Sequence, residues 1–421
     1  MSAAAERTRS EGLIVFLVGA IQFINILDFV IPLPMGPDLA RGLGIQNSQI
    51  GLIGGSYTAA AAVSGLVGSF FLDRFDRRKA VAVAMLGLVV GTAAGGFAKG
   101  LGTLMAARLV AGVFGGPATS LSMSIVADVV PPERRGAALS RVMAAFSVAA
   151  VLGVPIALEL SQRFGWRTPF LATAAAGLLV AGLAVAALPP MRGHLKEGGP
   201  VTPHQALKEA GEIIRTPVVQ LSYLTTAVVM AGGFILIPNI SAYVQGNLGY
   251  PRERLGLLYL AGGIASFASM QVVGKLVDRY GSFRMGMVGA VALSITVFVG
   301  FIDYPPGFPV MALYVMFMTS AAFRNVSYNT LASRVPQPHW RARFMSFQSA
   351  VQHLASALGA SAGAWILVET PDHRLLHIDV VAWLTILLTI FVPVLLRVVE
   401  SRVKARERLQ IDAQRSALAP S

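Results

Sequence analysis

The 421-residue sequence contains no cysteine and has few charged side chains. Without cysteine the protein has no disulfide, no thiolate metal site and no cysteine nucleophile. Only 13% of its residues are charged, against roughly 25% in an average soluble domain. Hydrophobic residues make up 55% of the chain, which leaves too little polar surface to keep so long a chain in water. The composition therefore predicts a protein embedded in a lipid bilayer.

Motifs of nucleotide-driven and catalytic proteins are also absent from the sequence. There is no G-x-x-x-x-G-K-[ST] phosphate loop, which argues against ATP-driven pumping by this chain. There is no H-E-x-x-H zinc motif and no G-x-S-x-G nucleophile turn. We therefore expect no enzyme, no cofactor and no metal ion.

Apolar runs long enough to cross a bilayer recur along the whole chain, since about 20 mostly apolar residues suffice for one spanning helix. Six lie near 13–35, 48–72, 79–98, 102–130, 137–160 and 168–189, and six more near 217–245, 253–277, 283–302, 308–333, 344–368 and 376–397. No small-residue cleavage site closes the first run, so we interpret it as a retained span and not as a signal peptide.

A polar stretch with Gly198, Gly199 and Pro200 separates the two sets of six runs. Most of the 34 Lys and Arg fall in cytoplasmic segments if the N-terminus is cytoplasmic, as the positive-inside rule requires. The net charge of +13 is thus attributed to membrane orientation and anionic lipid, and not to nucleic acid. The predicted units are an N-terminal six-helix bundle (1–190), a cytoplasmic linker (191–216), a C-terminal six-helix bundle (217–398) and a basic cytoplasmic tail (399–421).

Two loops at equivalent places in the two halves have related sequences, each with an aspartate–arginine pair among further basic residues. These residues are Asp73, Arg74 and Arg77 in GSFFLDRFDRRK, and Gly274, Asp278, Arg279 and Gly281 in GKLVDRYGSFR. The two aspartates are 205 residues apart, and the prolines Pro131 and Pro336 after spans four and ten repeat that offset. Internal duplication of this kind is a known plan for secondary transporters.

With this repeated loop the chain resembles the major facilitator superfamily over nearly its whole length. The resemblance implies an all-α membrane protein with twelve transmembrane helices in two pseudo-symmetric six-helix bundles. It also implies a latch that holds the halves together in the outward-open state, formed by Asp73, Arg74, Arg77, Asp128, Gly274, Asp278, Arg279 and Gly281. The alternative is that these are flanking charges that only set topology. The second loop has the family pattern G-x-L-x-D-R-x-G intact, whereas the first departs from it at Ser69 and Asp76.

The fifth span resembles that of bacterial drug:proton antiporters, in particular the arabinose- and purine-efflux-like exporters. Its sequence is LGVPIALELSQRFGWRTPF, in which Gly153 and Pro155 are predicted to bend the helix. Ala157 and Leu158 stand where further glycines are usual in that group. The alternative is a kink that serves packing alone.

Two opposite charges are predicted to meet inside the membrane. Asp28 lies about 15 residues into span one from the inside, and Arg108 about 6 residues into span four from the outside. Both therefore lie in the outer half at similar depth, and charges inside spans are usually functional. Arg108 with Gly112 resembles the R-x-x-x-G pattern that the family uses for proton coupling. We interpret Asp28 and Arg108 as a proton-coupling pair; a permanent ion pair between the two spans is the alternative.

Other polar residues inside the spans are candidates for substrate binding. Arg324 shares a helix face with Ser327 and Tyr328, which suits an anionic or polyhydroxyl substrate. Snorkelling to the boundary or pairing with a carboxylate are the alternatives for Arg324. For His353 a packing role is favoured over a proton relay. The full set of candidates is Gln22, Asn25, Tyr57, Asn239, Arg324, Tyr328, Gln352 and His353.

The sequence thus favours proton-coupled export of a small organic molecule by alternating access. An importer or facilitator of a small organic anion is one alternative, and a membrane sensor without transport is another, disfavoured by the short loops. The expected location is a bacterial-type inner membrane with both termini in the cytoplasm. The expected partners are the substrate, protons and the lipid bilayer, and the protein is expected to be a monomer.

Overall fold

The computed structural model describes residues 3–68, 72–191, 211–337 and 341–418, which are almost entirely helical. A two-stranded antiparallel hairpin lies between the last two helices, with β1 at Val368–Glu369 and β2 at Leu375–Leu376. The helices are α1 (Ala3–Val30), α2 (Gly36–Leu43), α3 (Ile50–Gly68), α4 (Arg77–Gly96), α5 (Leu101–Val129), α6 (Pro132–Val148), α7 (Val154–Phe164), α8 (Arg167–Ala187), α9 (Pro217–Phe234), α10 (Ile240–Gly246), α11 (Leu255–Tyr280), α12 (Ser282–Phe301), α13 (Val310–Arg334), α14 (Arg341–Ile366) and α15 (Ile378–Leu418).

All twelve predicted spans are present as helical units in the described residues. Helices α6 and α7 form one unit through the π-helical segment Ala149–Gly153, and α9 and α10 form one through the 3-10 turn Ile237–Asn239. Ten units are both long and apolar enough to cross a bilayer. The other two, α13 and α14, are 25 and 26 residues long and carry polar side chains near their middle, among them Arg324 and His353.

The apolar side chains pack into a core within each half and a third that spans both. The first half buries residues such as Ile21 and Leu121, and the second buries residues such as Phe344 and Leu396. Many other large apolar side chains stay exposed on the helix surfaces, Trp365 at 79% among them. Such exposure is expected where hydrocarbon and not water is the solvent, because apolar surface then has no tendency to be buried.

Small residues allow the two halves to approach closely. A Cβ atom on Gly51 of α3 would lie 2.2 Å from the carbonyl oxygen of Ala360 in α14. Likewise, a Cβ atom on Gly263 of α11 would lie 2.9 Å from the carbonyl oxygen of Ala150. Close backbone packing at small residues is the usual way in which membrane helices associate. The G-x-x-x-G spacing of Gly51 and Gly55 thus serves packing within this chain.

The structure describes the segment after the second half, the predicted tail, more fully than the segment before it, the predicted linker. The predicted linker 191–216 lies outside the described residues except at its ends. The predicted boundary at 398 falls inside α15, which continues to Leu418 because residues 399–418 contain neither glycine nor proline. Arg406 in this extension donates to the carbonyl oxygens of Arg334 and Val335 at 2.8 and 2.7 Å. The predicted tail is therefore held against the end of α13.

Candidate functional site

Asp28 of α1 and Arg108 of α5 form an ion pair in the interior of the first half. Arg108 Nη1 donates to Asp28 Oδ1 at 2.8 Å, and Nη2 donates to the Asp28 backbone carbonyl at 2.9 Å. Thr92 of α4 donates to the same Oδ1 at 2.8 Å. At most 1% of either charged residue is exposed. The structure thus brings together the two charges that the sequence places at one depth.

The pair is only partly satisfied by the residues that the structure describes. Asp28 Oδ2 and Arg108 Nε are buried and have no hydrogen-bond partner among them. Buried polar atoms are nearly always hydrogen-bonded, so each exception calls for an explanation. Both donors to the Asp28 carboxylate point at Oδ1, which leaves the lone pairs of Oδ2 available to a proton.

A polar network joins the ion pair to α3. The guanidinium carbon of Arg108 lies 4.6 Å from the centre of the Tyr57 ring, a cation–π contact. The Tyr57 hydroxyl donates to Asn25 Oδ1 at 2.7 Å, and Asn25 Nδ2 donates to Thr119 Oγ1 at 2.6 Å. Asn25 and Tyr57, both predicted to bind substrate, therefore lie beside the ion pair. Both side chains are buried and hydrogen-bonded to other residues of the first half.

Three aromatic rings connect this network with the second half. The ring of Phe29 lies 5.4 Å from that of Tyr57 and 5.9 Å from that of Phe234, stacked on both. Tyr57 and Phe29 belong to the first half and Phe234 to the second. Phe29 and Phe234 are only half-buried. We call these three residues the aromatic bridge. No sequence signal marks Phe29 or Phe234, because each lies in an apolar run among many like it.

Arg324 of α13 is a second buried arginine, in the other half of the protein. It is 3% exposed, and Nη1 lies 3.4 Å from Thr389 Oγ1. Its Nε and Nη2 each lie 3.4 Å from Asn325 Oδ1. These distances exceed the usual 2.7–3.2 Å range for N–H···O bonds. No ion pair to Arg324 is found in the described part of the chain, so the carboxylate partner considered from the sequence is not observed.

The remaining candidates for substrate binding are dispersed. Tyr328 is buried one helical turn after Arg324, and Asn239 is buried in the turn between α9 and α10. Gln22 is buried in α1, whereas Gln352 and His353 of α14 are half-buried. Two groups therefore stand out, one around the ion pair and one around Arg324.

The fifth span breaks its regular helix next to the ion pair. The π-helical segment Ala149–Gly153 ends just before Pro155, at the position predicted to bend. A Cβ atom on Gly153 would lie 2.5 Å from Cδ1 of Leu27, the residue before Asp28. Single π-helical turns inside α-helices occur frequently at functional sites. The segment thus touches both α1 and, through Ala150, α11 of the second half.

The two repeated loops cap their helices differently. In the first, the Asp76 carboxylate accepts from the backbone N–H of Arg78 at 3.0 Å, and Asp76 has a φ of −57°. In the second, Gly281 occupies the equivalent position with a φ of +90°, and Glu400 of α15 accepts from the N–H of Phe283 at 2.7 Å. The second loop needs glycine because its backbone is left-handed. The first loop does not need glycine there, because the φ of Asp76 is negative. This explains why Asp76 can replace the glycine of the family pattern.

The other residues predicted to form a latch lie at the same end of the protein. Arg77 of α4 forms an ion pair with Asp128 of α5, and both belong to the first half. Arg74 is exposed, whereas Ser69 and the side chain of Asp73 lie outside what the structure describes. A Cβ atom on Gly274 would meet none of the described atoms within 4 Å. In the second half, a cavity of about 660 Å³ is lined by residues that include Asp278, Arg279, Gly281 and Glu400.

A contact between the two halves lies at the opposite end of the protein, which the predicted orientation places outside. The sequence does not predict this contact. Arg252, in the turn before α11, donates to both carboxylate oxygens of Asp38 in α2, with Nε 2.9 Å from Oδ1 and Nη2 2.5 Å from Oδ2. Ser161 of α7 donates to Asp38 Oδ2 at 2.7 Å. We call Asp38, Ser161 and Arg252 the outer clamp. Burial raises the pKa of Asp38, but the hydrogen bonds from Arg252 and Ser161 and the charge of Arg252 outweigh it, so that the pKa lies below its ordinary value of 3.8.

A second contact between halves lies at the same end. The backbone N–H and Nδ2 of Asn47 donate to the Glu369 carboxylate at 2.5 and 2.7 Å. Glu369 also lies 2.7 Å from Nδ1 of His373 in the β-hairpin. The described residues thus join the two halves at this end through two contacts, Asp38 with Arg252 and Asn47 with Glu369.

Twelve helical units, ten of them long and apolar enough to cross a bilayer, and a buried ion pair between α1 and α5 define a polytopic α-helical membrane protein. The sequence model of the Major Facilitator Superfamily matches residues 18–360 and 224–419. The chain therefore belongs to the major facilitator superfamily, and the predicted all-α fold and family are confirmed.

Relatives of known sequence include transporters. The chain is 26% identical over 286 residues to an uncharacterised MFS-type transporter of Bacillus subtilis (strain 168), which covers 67% of this chain and 69% of the relative. It is 26% identical over 282 residues to a chloramphenicol efflux pump of Mycobacterium tuberculosis (strain CDC 1551 / Oshkosh), which covers 66% of each. These alignments span about two thirds of both relatives.

Solved structures share the fold at low identity. A nucleoside transporter matches 92% of this chain and 99% of its own with a TM-score of 0.72 at 12% identity. A D-xylose–proton symporter matches 91% and 97% with a TM-score of 0.70 at 17% identity. A bacterial homologue of the lysosomal transporter Spinster, in an inward-facing and unoccupied conformation, matches 94% and 97% with a TM-score of 0.68 at 16% identity.

Proposed function

We propose that this transporter exports a small organic molecule in exchange for protons, with Asp28 and Arg108 as the coupling pair. The observation that carries the proposal is the partly satisfied carboxylate of Asp28, with Oδ1 bound to Arg108 and Thr92 and Oδ2 open to a proton. Export is supported by the fifth-span pattern and by the relative that is a chloramphenicol efflux pump.

Protonation of Asp28 would change the energy of the state described. A neutral Asp28 leaves the Arg108 cation buried without its counter-charge, and an unpaired buried charge is strongly unfavourable. Helix α1 touches the π-helical segment through Leu27, and that segment touches α11. Loss of the ion pair therefore acts on a contact between the two halves, which is the place where an alternating-access transporter must change.

The cycle that follows uses the proton gradient. Protons reach Asp28 from the outside when the outer clamp is open and leave to the inside when it is closed. Substrate moves in the opposite direction, because its bound form and the protonated form of Asp28 belong to different conformations. Arg324, Tyr328 and the aromatic bridge supply the substrate contacts in this proposal.

The proposal is tested with purified protein in liposomes under an imposed pH gradient. Candidate substrates are first chosen by thermal stabilisation, with chloramphenicol and aromatic carboxylates as probes. The wild type is expected to move the stabilising compound uphill, whereas Asp28→Asn exchanges it down its gradient but never uphill. The matched control is Asp303→Asn, which neutralises an exposed aspartate in the loop after α12.

Three results would overturn this proposal. Uphill export by Asp28→Asn equal to that of the wild type would remove Asp28 from the coupling site. Loss of both folding and substrate binding in Asp28→Asn would favour the purely structural ion pair. Wild-type transport that ignores the pH gradient would instead indicate a facilitator.

A further inference from the structure

Among the described residues of the second half, Arg324 is the one lysine or arginine that is buried. The sequence between 217 and 398 contains six carboxylates, and each lies at a helix end or in a loop: Glu253, Asp278, Asp303, Glu369, Asp372 and Asp379. Arg324 is the fifteenth residue of the 25-residue helix α13, and therefore lies far from both ends. A buried guanidinium stays protonated, since arginine does not lose its proton in proteins. No carboxylate of this half is placed to neutralise it.

The contacts around Arg324 are also weak for a buried charge. Its three hydrogen bonds to described residues are all 3.4 Å long and go to a neutral amide or hydroxyl oxygen. Arg108 offers the comparison within the same chain, because its guanidinium donates at 2.8 and 2.9 Å and faces a carboxylate. Buried charges are normally paired. Arg324 is thus a buried charge that has only neutral partners in the described part of the chain.

A glycine, an aromatic ring and polar side chains surround Arg324. Gly233 of α9 faces the guanidinium, and a Cβ atom there would lie 3.5 Å from Nη2. The next residue is Phe234 of the aromatic bridge, which is half-buried and stacks on Phe29. On α13 itself Asn325 is half-buried and Asn329 exposed, so polar groups continue from Arg324 to an accessible surface.

We propose that Arg324 binds the negatively charged group of the transported molecule, which is therefore a small organic anion with an apolar body. The anion supplies the missing counter-charge, and the apolar body packs on Phe234 and Phe29. An uncharged polyhydroxyl compound would leave the buried charge unneutralised, so the anion is the better match. This inference rests on the proposed function only in taking the bound molecule to be the one transported.

The direct test is binding to the purified full-length protein without any gradient. The probes are three aromatic carboxylates, benzoate among them, each paired with its neutral amide, and thermal stabilisation gives the apparent Kd. We expect each acid that binds to bind at least about tenfold more tightly than its amide, in line with the strength of charge-assisted hydrogen bonds. Arg324→Gln should abolish that difference. Arg324→Lys should keep the preference for the acid with weaker binding, because the charge remains but the planar donor geometry is lost.

Controls separate this inference from protein damage and from the coupling proposal. Arg334→Gln alters an arginine in the same helix that is paired with Glu407, and should leave the acid-over-amide preference unchanged. Asp28→Asn should keep the preference while it loses uphill transport, so either proposal can fail without the other. The anion site is wrong if no acid binds more tightly than its amide, or if Arg324→Gln keeps the preference. Equal stabilisation by chloride or sulfate alone would also overturn it, as it would show an adventitious ion only.

Discussion

At the scale of single residues, the two buried arginines Arg108 and Arg324 differ in the groups that they contact. Arg108 faces a carboxylate, a backbone carbonyl oxygen and an aromatic ring, whereas Arg324 faces only neutral oxygens at 3.4 Å. The first arrangement can exchange a proton, because its acid has an open oxygen. The second needs an anion from elsewhere. In the proposed mechanism, the substrate anion and the proton therefore act on opposite halves of the protein, which the aromatic bridge connects.

The energetic link between Asp28 and Arg108 gives a prediction of its own. Arg108→Gln leaves Asp28 unpaired, or forces its protonation, and should lower the free energy of unfolding by about 3–5 kcal/mol. The double variant Asp28→Asn/Arg108→Gln should regain most of that loss, since no unpaired charge remains. A double-mutant cycle from reversible unfolding in detergent measures the coupling. Additive losses in the double variant would show that the two side chains are not energetically linked.

At the scale of elements, the helix caps explain why the two repeated loops diverged. Asp76→Ala removes a carboxylate that accepts from the N–H of Arg78, and should lower the free energy of unfolding by about 0.5–2 kcal/mol. Asp76→Asn keeps an acceptor there and should lose less. Thermal unfolding of the two variants in detergent makes the comparison. Equal losses from Ala and Asn would mean that the cap oxygen contributes nothing.

The outer clamp makes a prediction about pH. The pKa of Asp38 is lowered in the folded protein, so its stabilisation is fully present above the ordinary value of 3.8 and is lost only as the pH falls through the lowered pKa. Between pH 5 and 8 the clamp should therefore stay closed without change. Asp38→Asn should open it at all pH values, because it removes the charge that Arg252 faces.

Opening of the outer clamp can be measured by labelling a single introduced cysteine, because the protein has no native cysteine. Ile31→Cys places a thiol at a buried position beyond the end of α1. Maleimide labelling from the outer side should be slow in this variant, and faster when Asp38→Asn is added. The labelling rate is corrected for thiol ionisation with a free-thiol standard. If the corrected labelling rate rises steeply as the pH falls from 8 to 5, the clamp opens in that range, and the lowered pKa of Asp38 does not hold it closed.

How far the sequence predicts these elements depends on whether the signal is local. The spans, the paired loops and the meeting of Asp28 with Arg108 follow from apolar length, repetition and depth, each readable along the chain. The outer clamp does not, because Asp38 and Arg252 are 214 residues apart and neither loop stands out. The change from apolar to basic residues predicts a boundary at 398, but the helix continues to Leu418 because residues 399–418 contain neither glycine nor proline. Roles in coupling, binding and latching stay predictions.

At the scale of the whole molecule, an exporter of anions that takes up protons must move net charge. Exchange of one monoanion outward for one proton inward transfers two positive charges to the inside. Each charge contributes about 2.3 kcal/mol per 100 mV of membrane potential. Inside-negative potential should therefore accelerate export of a carboxylate probe, and currents on a solid-supported membrane should report the transfer. Electroneutral transport of the same probe would rule out this stoichiometry for an anion.

The central claim is that proton and substrate compete through Asp28, and proton release on substrate binding tests it most directly. Purified protein is held at weak buffering with a pH indicator, and a stabilising substrate is added in the absence of any membrane. The wild type should release protons on binding, and Asp28→Asn should bind the substrate but release none. Equal proton release by the wild type and Asp28→Asn would contradict the account.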